Sequence, residues 1–364
     1  MIIKRFKAEN FRNIEKCDIK FYEGVNLLHG NNAQGKTNAV EGIYIFARGK
    51  SFRASEDREL VKFGEEGFRI YIEYKDKNGE NSLEYAFFGK ERRRKKNGYK
   101  IEKIKEMLGN FKAVLFYPDD LSLVKDSPEE RRTFLNVAIS QCYDVYISYY
   151  SNYKKALENR NCLLKSASKG MYVDNNELIS WSEYMAEFAA YIYLMRKEYI
   201  KKLEFYSKKI MNDISCGKED ISLIYKSDIS SDLNEIEKIK NEYKRIFKEE
   251  LEREKIVGSS LFGIHRDDII ININGKSARS YASQGQQRSI VLSLKLGEGE
   301  VNRDICGEYP VFLFDDVLSE LDEKRKKYVL DGIGERQIII TSCEKETEGL
   351  KTENKIEVKS GQYS

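Results

Sequence analysis

Apolar and polar positions alternate with a period of two toward both ends of the chain and with a period of three to four through its middle. Within residues 1–120, the stretches IIKRFKAENF, CDIKFYEGVNLLHG and FRIYIEYKDKNGENSLEYAFFG read as strands joined by short turns. Strands return from about residue 258, at DDIIININGKSARSYA, VFLFDD and RQIIITS. Ile269, Ile271 and Ile273 alternate ahead of Asn274-Gly275, which predicts a hairpin leading into the loop SQGQQR at 283–288. In the middle, Ser127, Pro128 and Glu130 fit a capping box with proline at the first helical position. Apolar residues then recur at 134, 138, 142, 145, 149 and 153. A second stripe runs Leu178, Trp181, Met185, Phe188, Ile192, Met195, Tyr199, Leu203, Tyr206, Ile210, close to a heptad seam. At 1.5 Å per residue that helix would be roughly 50 Å long. A third helical run covers about 232–257. The pattern predicts an α/β head made of 1–125 and 258–364, interrupted by a helical arm at 126–257.

Composition narrows the class without naming a chemistry. A chain of 364 residues exceeds one typical core, in keeping with two domains. Its longest apolar run, Phe188 to Met195, is far short of a membrane span, and MIIKRFKAENFR has no signal-peptide core. Six cysteines, at 17, 142, 162, 216, 306 and 343, never approach C-x-x-C spacing. The expectation is a reduced, cytoplasmic protein with no membrane partner. A net charge of +3 does not by itself announce a nucleic-acid binder. Local basic clusters are the candidates for such contacts: Arg92 to Lys96 on a predicted hairpin arm, Arg53, and Arg131-Arg132.

Candidate chemistry begins at Gly30-Asn31-Asn32-Ala33-Gln34-Gly35-Lys36-Thr37, a full G-x-x-x-x-G-K-[ST] pattern between a predicted strand (25–28) and a helix starting at Asn38. Glycines let backbone N–H groups converge on phosphate, and a helix N-terminus adds its positive end. Lys36 is expected at the β- and γ-phosphates and Thr37 on Mg²⁺. The apolar run Val311 to Phe314 reads as a central strand ending in Asp315-Asp316. Asp315 is expected to hold the Mg²⁺ shell, and Asp316 to orient or deprotonate the attacking water.

Taken in order, the loop Gly30–Thr37, Ser283-Gln284-Gly285-Gln286-Gln287, and Asp315-Asp316 followed by Ser319-Glu320-Leu321-Asp322 resemble an ABC-type ATPase head. Finer details resemble the RecF family, related to SMC heads. They are Asn10-Phe11-Arg12-Asn13, Gly35 to Asn38, Lys50-Ser51-Phe52-Arg53, Pro118 to Val124, Gly263 to Asp268 and Phe314 to Asp322. The resemblance implies an ABC/SMC-like α/β head, with mixed sheets and flanking helices, carrying an inserted helical arm. It implies an ATPase head, an ATP-dependent homodimer, DNA binding at single-strand/duplex junctions, and work with RecR and RecO to load RecA. The short carboxylate of Asp316, farther from the water than a glutamate, makes the expected hydrolysis slow and switch-like. Ser283, Gln284, Gly285 and Gln286 would be the signature loop, capping the γ-phosphate of the other subunit. Asp322 would lie in the D-loop, Arg12 and Asn38 beside the nucleotide, and Asp119 where a Q-loop residue approaches the metal.

Two departures from the wider superfamily stand out. Asp316 takes the place of the usual glutamate, and Thr341-Ser342-Cys343 ends the strand where many relatives carry a switch histidine. Neither His29 nor His265 is placed to serve as that histidine, and His265 reads as part of a structural turn. Competing readings are the ATPase subunit of a membrane transporter or of a nuclease-associated system. The 285 residues from Gly30 to Asp315, filled by a helical arm, argue against the first. The short stretch after Asp322 argues against the second.

Overall fold

Strand Ile2–Phe11 alternates buried and exposed side chains, as its sequence period requires, and it starts the first of three sheets. The computed structural model describes residues 1–317, 321–331, 334, 336–343, 352 and 354–364. In chain order the strands and helices are β1 (Ile2–Phe11), β2 (Ile14–Lys20), β3 (Val25–His29), α1 (Lys36–Arg48), β4 (Gly67–Asp76), β5 (Gly79–Phe88), β6 (Glu91–Lys96), β7 (Tyr99–Ile101) and β8 (Ala113–Phe116). Helices follow as α2 (Ser122–Lys125), α3 (Pro128–Cys142), α4 (Asp144–Ala167) and α5 (Asn175–Ser215). Then come β9 (Ile221–Lys226), α6 (Ile236–Glu249), α7 (Leu251–Val257), β10 (Asp268–Ile273), β11 (Lys276–Ser277), α8 (Ala278–Tyr281), α9 (Gln284–Cys306) and β12 (Val311–Phe314). Helix α10 (Glu323–Asp331), β13 (Ile338–Ser342), β14 (Asn354–Lys359) and β15 (Gln362–Tyr363) complete the order.

These elements form two units. The first holds Met1–Leu121, Tyr206–Asp220 and Ala282–Ser364; the second holds Ser122–Phe205 and Ile221–Tyr281. In the first unit an antiparallel sheet is ordered β2-β1-β4-β5-β6-β7. A second sheet, ordered β15-β14-β3-β13-β12-β8, is parallel except at its β15 edge. Helix α1 contacts β1 of one sheet and β8 and β13 of the other. It is apolar almost all round, with Ala39, Val40, Ile43, Ile45, Phe46 and Ala47 buried, as a helix enclosed on all sides should be. Gly42 makes the close approach possible: a Cβ there would lie 2.6 Å from the Phe6 ring. Gly299 does the same for α9, where a Cβ would meet the Phe312 ring at 2.2 Å.

In the second unit, β11-β10-β9 form a small antiparallel sheet beside the helices. Its buried centre is polar. Arg196 donates to Asp267, to the Ile264 carbonyl and to Asn136, while Arg160 donates to Glu254, Ser182 and Ser260.

Several expectations are corrected here. The zone 126–257 is not helical throughout: Ile221, Leu223 and Tyr225 alternate along β9, which pairs in full with β10. That pairing draws residues 258–281 into the second unit, whereas the sequence pattern placed them with the head. Residues 206–220 go the other way, into the first unit. The long stripe does form one helix, α5, of 41 residues and so about 60 Å. The first run breaks at Tyr143 and the third at Glu250. Ser127 is the N-cap of α3 with Pro128 behind it, but its side chain makes no capping hydrogen bond.

Candidate nucleotide site

Parallel pairing brings the C-terminal ends of β3, β13 and β12 side by side, and the chemistry gathers there. From the end of β3 the chain enters the phosphate loop through Gly30, at φ 155°, where a Cβ would collide with the Val358 carbonyl at 2.2 Å. It leaves through Gly35, at φ 114°, into α1. No side chain caps α1, so its first turn is open to an anionic ligand. Lys36 is 3% exposed and curls back to donate to the carbonyls of Gly30 (2.6 Å) and Asn31 (3.0 Å). Its ammonium also lies 3.8 Å from the Cys343 sulfur, which donates to Asn32 Oδ1 at 2.8 Å. Gln34 accepts from the Ser360 N–H, and Ala33 holds a left-handed φ of 63°.

Thr37 donates to Asp315 Oδ1 at 2.9 Å, and Thr341 on the intervening strand donates to the same oxygen at 2.9 Å. Burial pushes the Asp315 carboxyl up to about 6, against the lowering effect of those two hydroxyls. A buried carboxylate short of counter-charge, beside a threonine hydroxyl, is a hard-oxygen donor set that fits Mg²⁺. Asp316 follows at φ 53°, and its N–H donates to Thr341 Oγ1 at 2.9 Å. Asp119 is exposed, while its neighbour Asp120 is buried. Among the described residues no group of three His, Cys, Asp or Glu side chains gathers to hold a metal, so Asp119 does not join Asp315 and Asp316 in such a cluster.

Arg12 and Asn38 flank the loop. The Arg12 guanidinium forms two hydrogen bonds to Glu41, at 2.9 and 2.7 Å, and Glu41 is fully buried. Ser51 donates to the same carboxylate, and Arg53 approaches it to 4.0 Å. Asn38 donates to Asn13 Oδ1 at 2.7 Å. The residues expected to form a signature loop, 283–286, lie elsewhere in the unit. Exposed Ser283 is the N-cap of α9 in a full capping box: Ser283 Oγ accepts from the Gln286 N–H, and the Ser283 N–H donates to Gln286 Oε1. Gln284 is exposed, Gly285 has open space where a Cβ would be, and Gln286 donates to Glu219. Asp322 caps α10 through the Arg325 N–H, and the Arg325 guanidinium spans Asp322, Ser289 Oγ and the Gly285 carbonyl. Ser319 and Glu320 lie outside the described residues.

Sequence reasoning missed Thr341, Glu41 and Arg325. A hydroxyl directly after three buried isoleucines was the available signal for Thr341. Glu41, a charge in an otherwise apolar helix, was the signal for its pairing with Arg12. The basic clusters are largely committed. Arg131 is buried and bidentate to Asp268, and Arg132 donates to the Asp267 carbonyl. On β6, Arg92 pairs with Asp57, Arg93 with Glu91 and Lys95 with Glu84.

The sequence model of the RecF/RecN/SMC N terminal domain matches residues 2–362. The DNA replication and repair protein RecF of Alkaliphilus oremlandii is 38% identical over 98% of this chain and 97% of its own length. The chain belongs to the RecF family. A solved structure described as the recombination mediator protein RecF-ATP in the RecFOR pathway superposes on this chain with a TM-score of 0.93. The identity is 35%, and the match covers all of this chain and 97% of the other. An Smc head domain from Pyrococcus furiosus, with an extended coiled coil and bound to the C-terminal domain of ScpA, shares the fold. It has a TM-score of 0.57 and 18% identity, and the match covers all of this chain and 95% of its own. The resemblance drawn from the motifs is thus confirmed at the level of family and α/β head fold. No helix among the described residues is long and apolar enough to cross a membrane.

Proposed function

We propose that this chain is a slow ATPase that acts as an ATP-gated, DNA-binding mediator of repair and recombination. The observation that carries the reading is the meeting of Lys36, Thr37, Asp315 and Asp316 at adjacent ends of parallel strands. ATP takes the phosphate loop from Gly30 to Thr37. Lys36 exchanges its two loop carbonyls for the β- and γ-phosphates, a charge-assisted replacement. Thr37 and Asp315 hold Mg²⁺, which when bound neutralises charge on the phosphates. Asp316 takes up the proton of the attacking water, steered by its backbone bond to Thr341. An aspartate reaches less far than a glutamate, so turnover is slow and suits a switch.

Two copies associate on ATP, each lending Ser283, Gln284, Gly285 and the open turn of α9 to the nucleotide of the other, with Asp322 along the contact. The dimer holds DNA at single-strand/duplex junctions and, with RecR and RecO, aids loading of RecA; hydrolysis releases it. Support for the DNA and pathway terms comes from the named relatives, whose descriptions are DNA replication and repair protein and recombination mediator of the RecFOR pathway. Sizing the protein by sedimentation without nucleotide, with ADP and with ATP, each with and without gapped duplex, tests the reading. The expected result is a dimer with ATP alone among the three, with tighter retention of gapped DNA. A monomer with ATP at every protein concentration would overturn it.

A further inference from the structure

Within the first unit, three buried ionisable groups lie away from the phosphate loop, where no step of the reaction uses them. Lys295 and Glu298 stand one turn apart on α9, and Asp120 closes the turn Pro118–Leu121 that follows β8. Lys295 Nζ lies 3.1 Å from Asp120 Oδ1, with both side chains under a tenth exposed. The other oxygen, Asp120 Oδ2, accepts the Tyr117 N–H at 2.9 Å. On the same peptide, the Phe116 carbonyl accepts the N–H of Asp315 at 2.9 Å.

An unbroken path of polar contacts therefore runs from Lys295 through Asp120 and the 116–117 peptide to the backbone of Asp315. A buried ion pair gives little net stability compared with an apolar pair of similar size. Two charges enclosed between the signature helix and the strand that flanks β12 call for a role in geometry. Helix α9 runs unbroken from the capping box at Ser283 past Lys295 to Cys306, so a displacement along its axis at Lys295 would reach Ser283.

We propose that Lys295, acting through Asp120, is a positioning residue that couples the Asp315 end of the nucleotide site to the register of α9 within one chain. Nucleotide bound at Thr37 and Asp315 then adjusts the signature surface before a second copy meets it. This inference rests on the proposed function for the identity of the nucleotide and for the purpose of the signature loop.

Hydrogen exchange of the full chain, kept dilute and monomeric, tests the coupling with a non-hydrolysable ATP analogue and Mg²⁺ as the probe. Nucleotide should raise protection of the α9 amides between 286 and 298 by a factor of roughly 5 to 150, the usual size of coupling between two sites. Lys295→Met should lose that gain while keeping nucleotide affinity within about threefold, because it touches no phosphate-binding group. Lys295→Arg should keep the gain.

The single methionine variant leaves Asp120 buried without its partner and can fail to fold. The double variant Asp120→Leu/Lys295→Met removes both charges, and it should fold yet show no gain. A wild-type gain in the double variant, or none in the wild type, would overturn the proposal. A wild type that shows the gain but never dimerises with ATP would support the coupling and contradict the association reading instead.

Discussion

Asp316 and Lys36 show how a single residue is held in a conformation it would not choose alone. A left-handed φ of 53° costs an aspartate roughly 1–3 kcal/mol, and the bond from its N–H to Thr341 Oγ1 helps to impose it. Lys36, nearly sealed from water, spends its ammonium on two backbone carbonyls of its own loop. The two residues should separate binding from chemistry. Lys36→Ala removes the counter-charge of the phosphates and should weaken ATP binding about 100-fold, given that a hydrogen bond to a charged group contributes roughly 1.5–3 kcal/mol. Asp316→Asn keeps the loop and the proposed magnesium ligands Thr37 and Asp315, so calorimetry should find ATP affinity close to wild type. Turnover should fall by a factor of at least about 100, the low end for general-base catalysis. Equal turnover in Asp316→Asn and wild type would remove Asp316 from the reaction. His265 illustrates the opposite case. Its Nδ1 accepts from the Tyr153 hydroxyl, its Nε2 donates to the Ser260 carbonyl, and burial pushes it down to about 4, so it stays neutral and structural.

At the scale of elements, the legible features were those with a local signature. The phosphate loop, the strand before Asp315 and the stripe of α5 could be read because period, glycine spacing and apolar runs are properties of neighbouring residues. Glu41 on α1 could not be assigned its partner, because Arg12 reaches it from the distant turn between β1 and β2, and the Arg325 bridge joins two separate helices. Strand β9 was missed because six residues amid long helical runs carry too little pattern to overrule their surroundings. Buried charge on α9 was likewise invisible, since Lys295 and Glu298 at a spacing of three look like a solvated helix face. Glu298 makes this measurable. Burial pushes its carboxyl up from 4.5 to about 7, partly opposed by Lys295 and reinforced by Asp120, and Oε2 has no hydrogen-bond partner among the described residues. A carboxyl raised on folding binds its proton more tightly folded than unfolded. Its contribution is therefore complete below pH 4.5 and lost as pH rises through about 7. The loss amounts to about 3 kcal/mol at pH 8, because each pH unit between the unfolded and folded pKa corresponds to about 1.36 kcal/mol. Glu298→Gln cannot ionise, so denaturant unfolding should show it gaining on wild type by about that much between pH 4.5 and pH 8. A stability difference that does not change with pH would place Glu298 in a wetter environment than the one described.

At the scale of the whole molecule, the chain carries both a phosphate-loop motif at Gly30–Thr37 and an exposed helix N-terminus at Ser283, which the proposed function assigns to the nucleotide of a second copy. Ser283 is the residue that separates these roles. It is exposed and caps α9, so replacing it costs about 1 kcal/mol of helix stability and leaves the fold standing. Ser283→Arg places a bulky cation on the turn that would meet the other copy, while Gly30 to Thr37 and Asp315 remain as they are. Nucleotide titration of the isolated variant should match wild type within about threefold. Sedimentation with ATP should find the variant monomeric at concentrations where wild type is dimeric. DNA binding supplies a second readout that does not depend on size. Each added phosphate contact steepens the log–log salt dependence by about 0.9, so a dimer holding DNA with two subunits should show a steeper slope with ATP than without. In Ser283→Arg the slope should be the same in both conditions and equal to that of nucleotide-free wild type. A variant that still dimerises on ATP would free the SQGQQR turn from any role at the partner's nucleotide. A variant that stays monomeric yet keeps the ATP-steepened slope would place the DNA contacts within one subunit and make dimerisation incidental to binding.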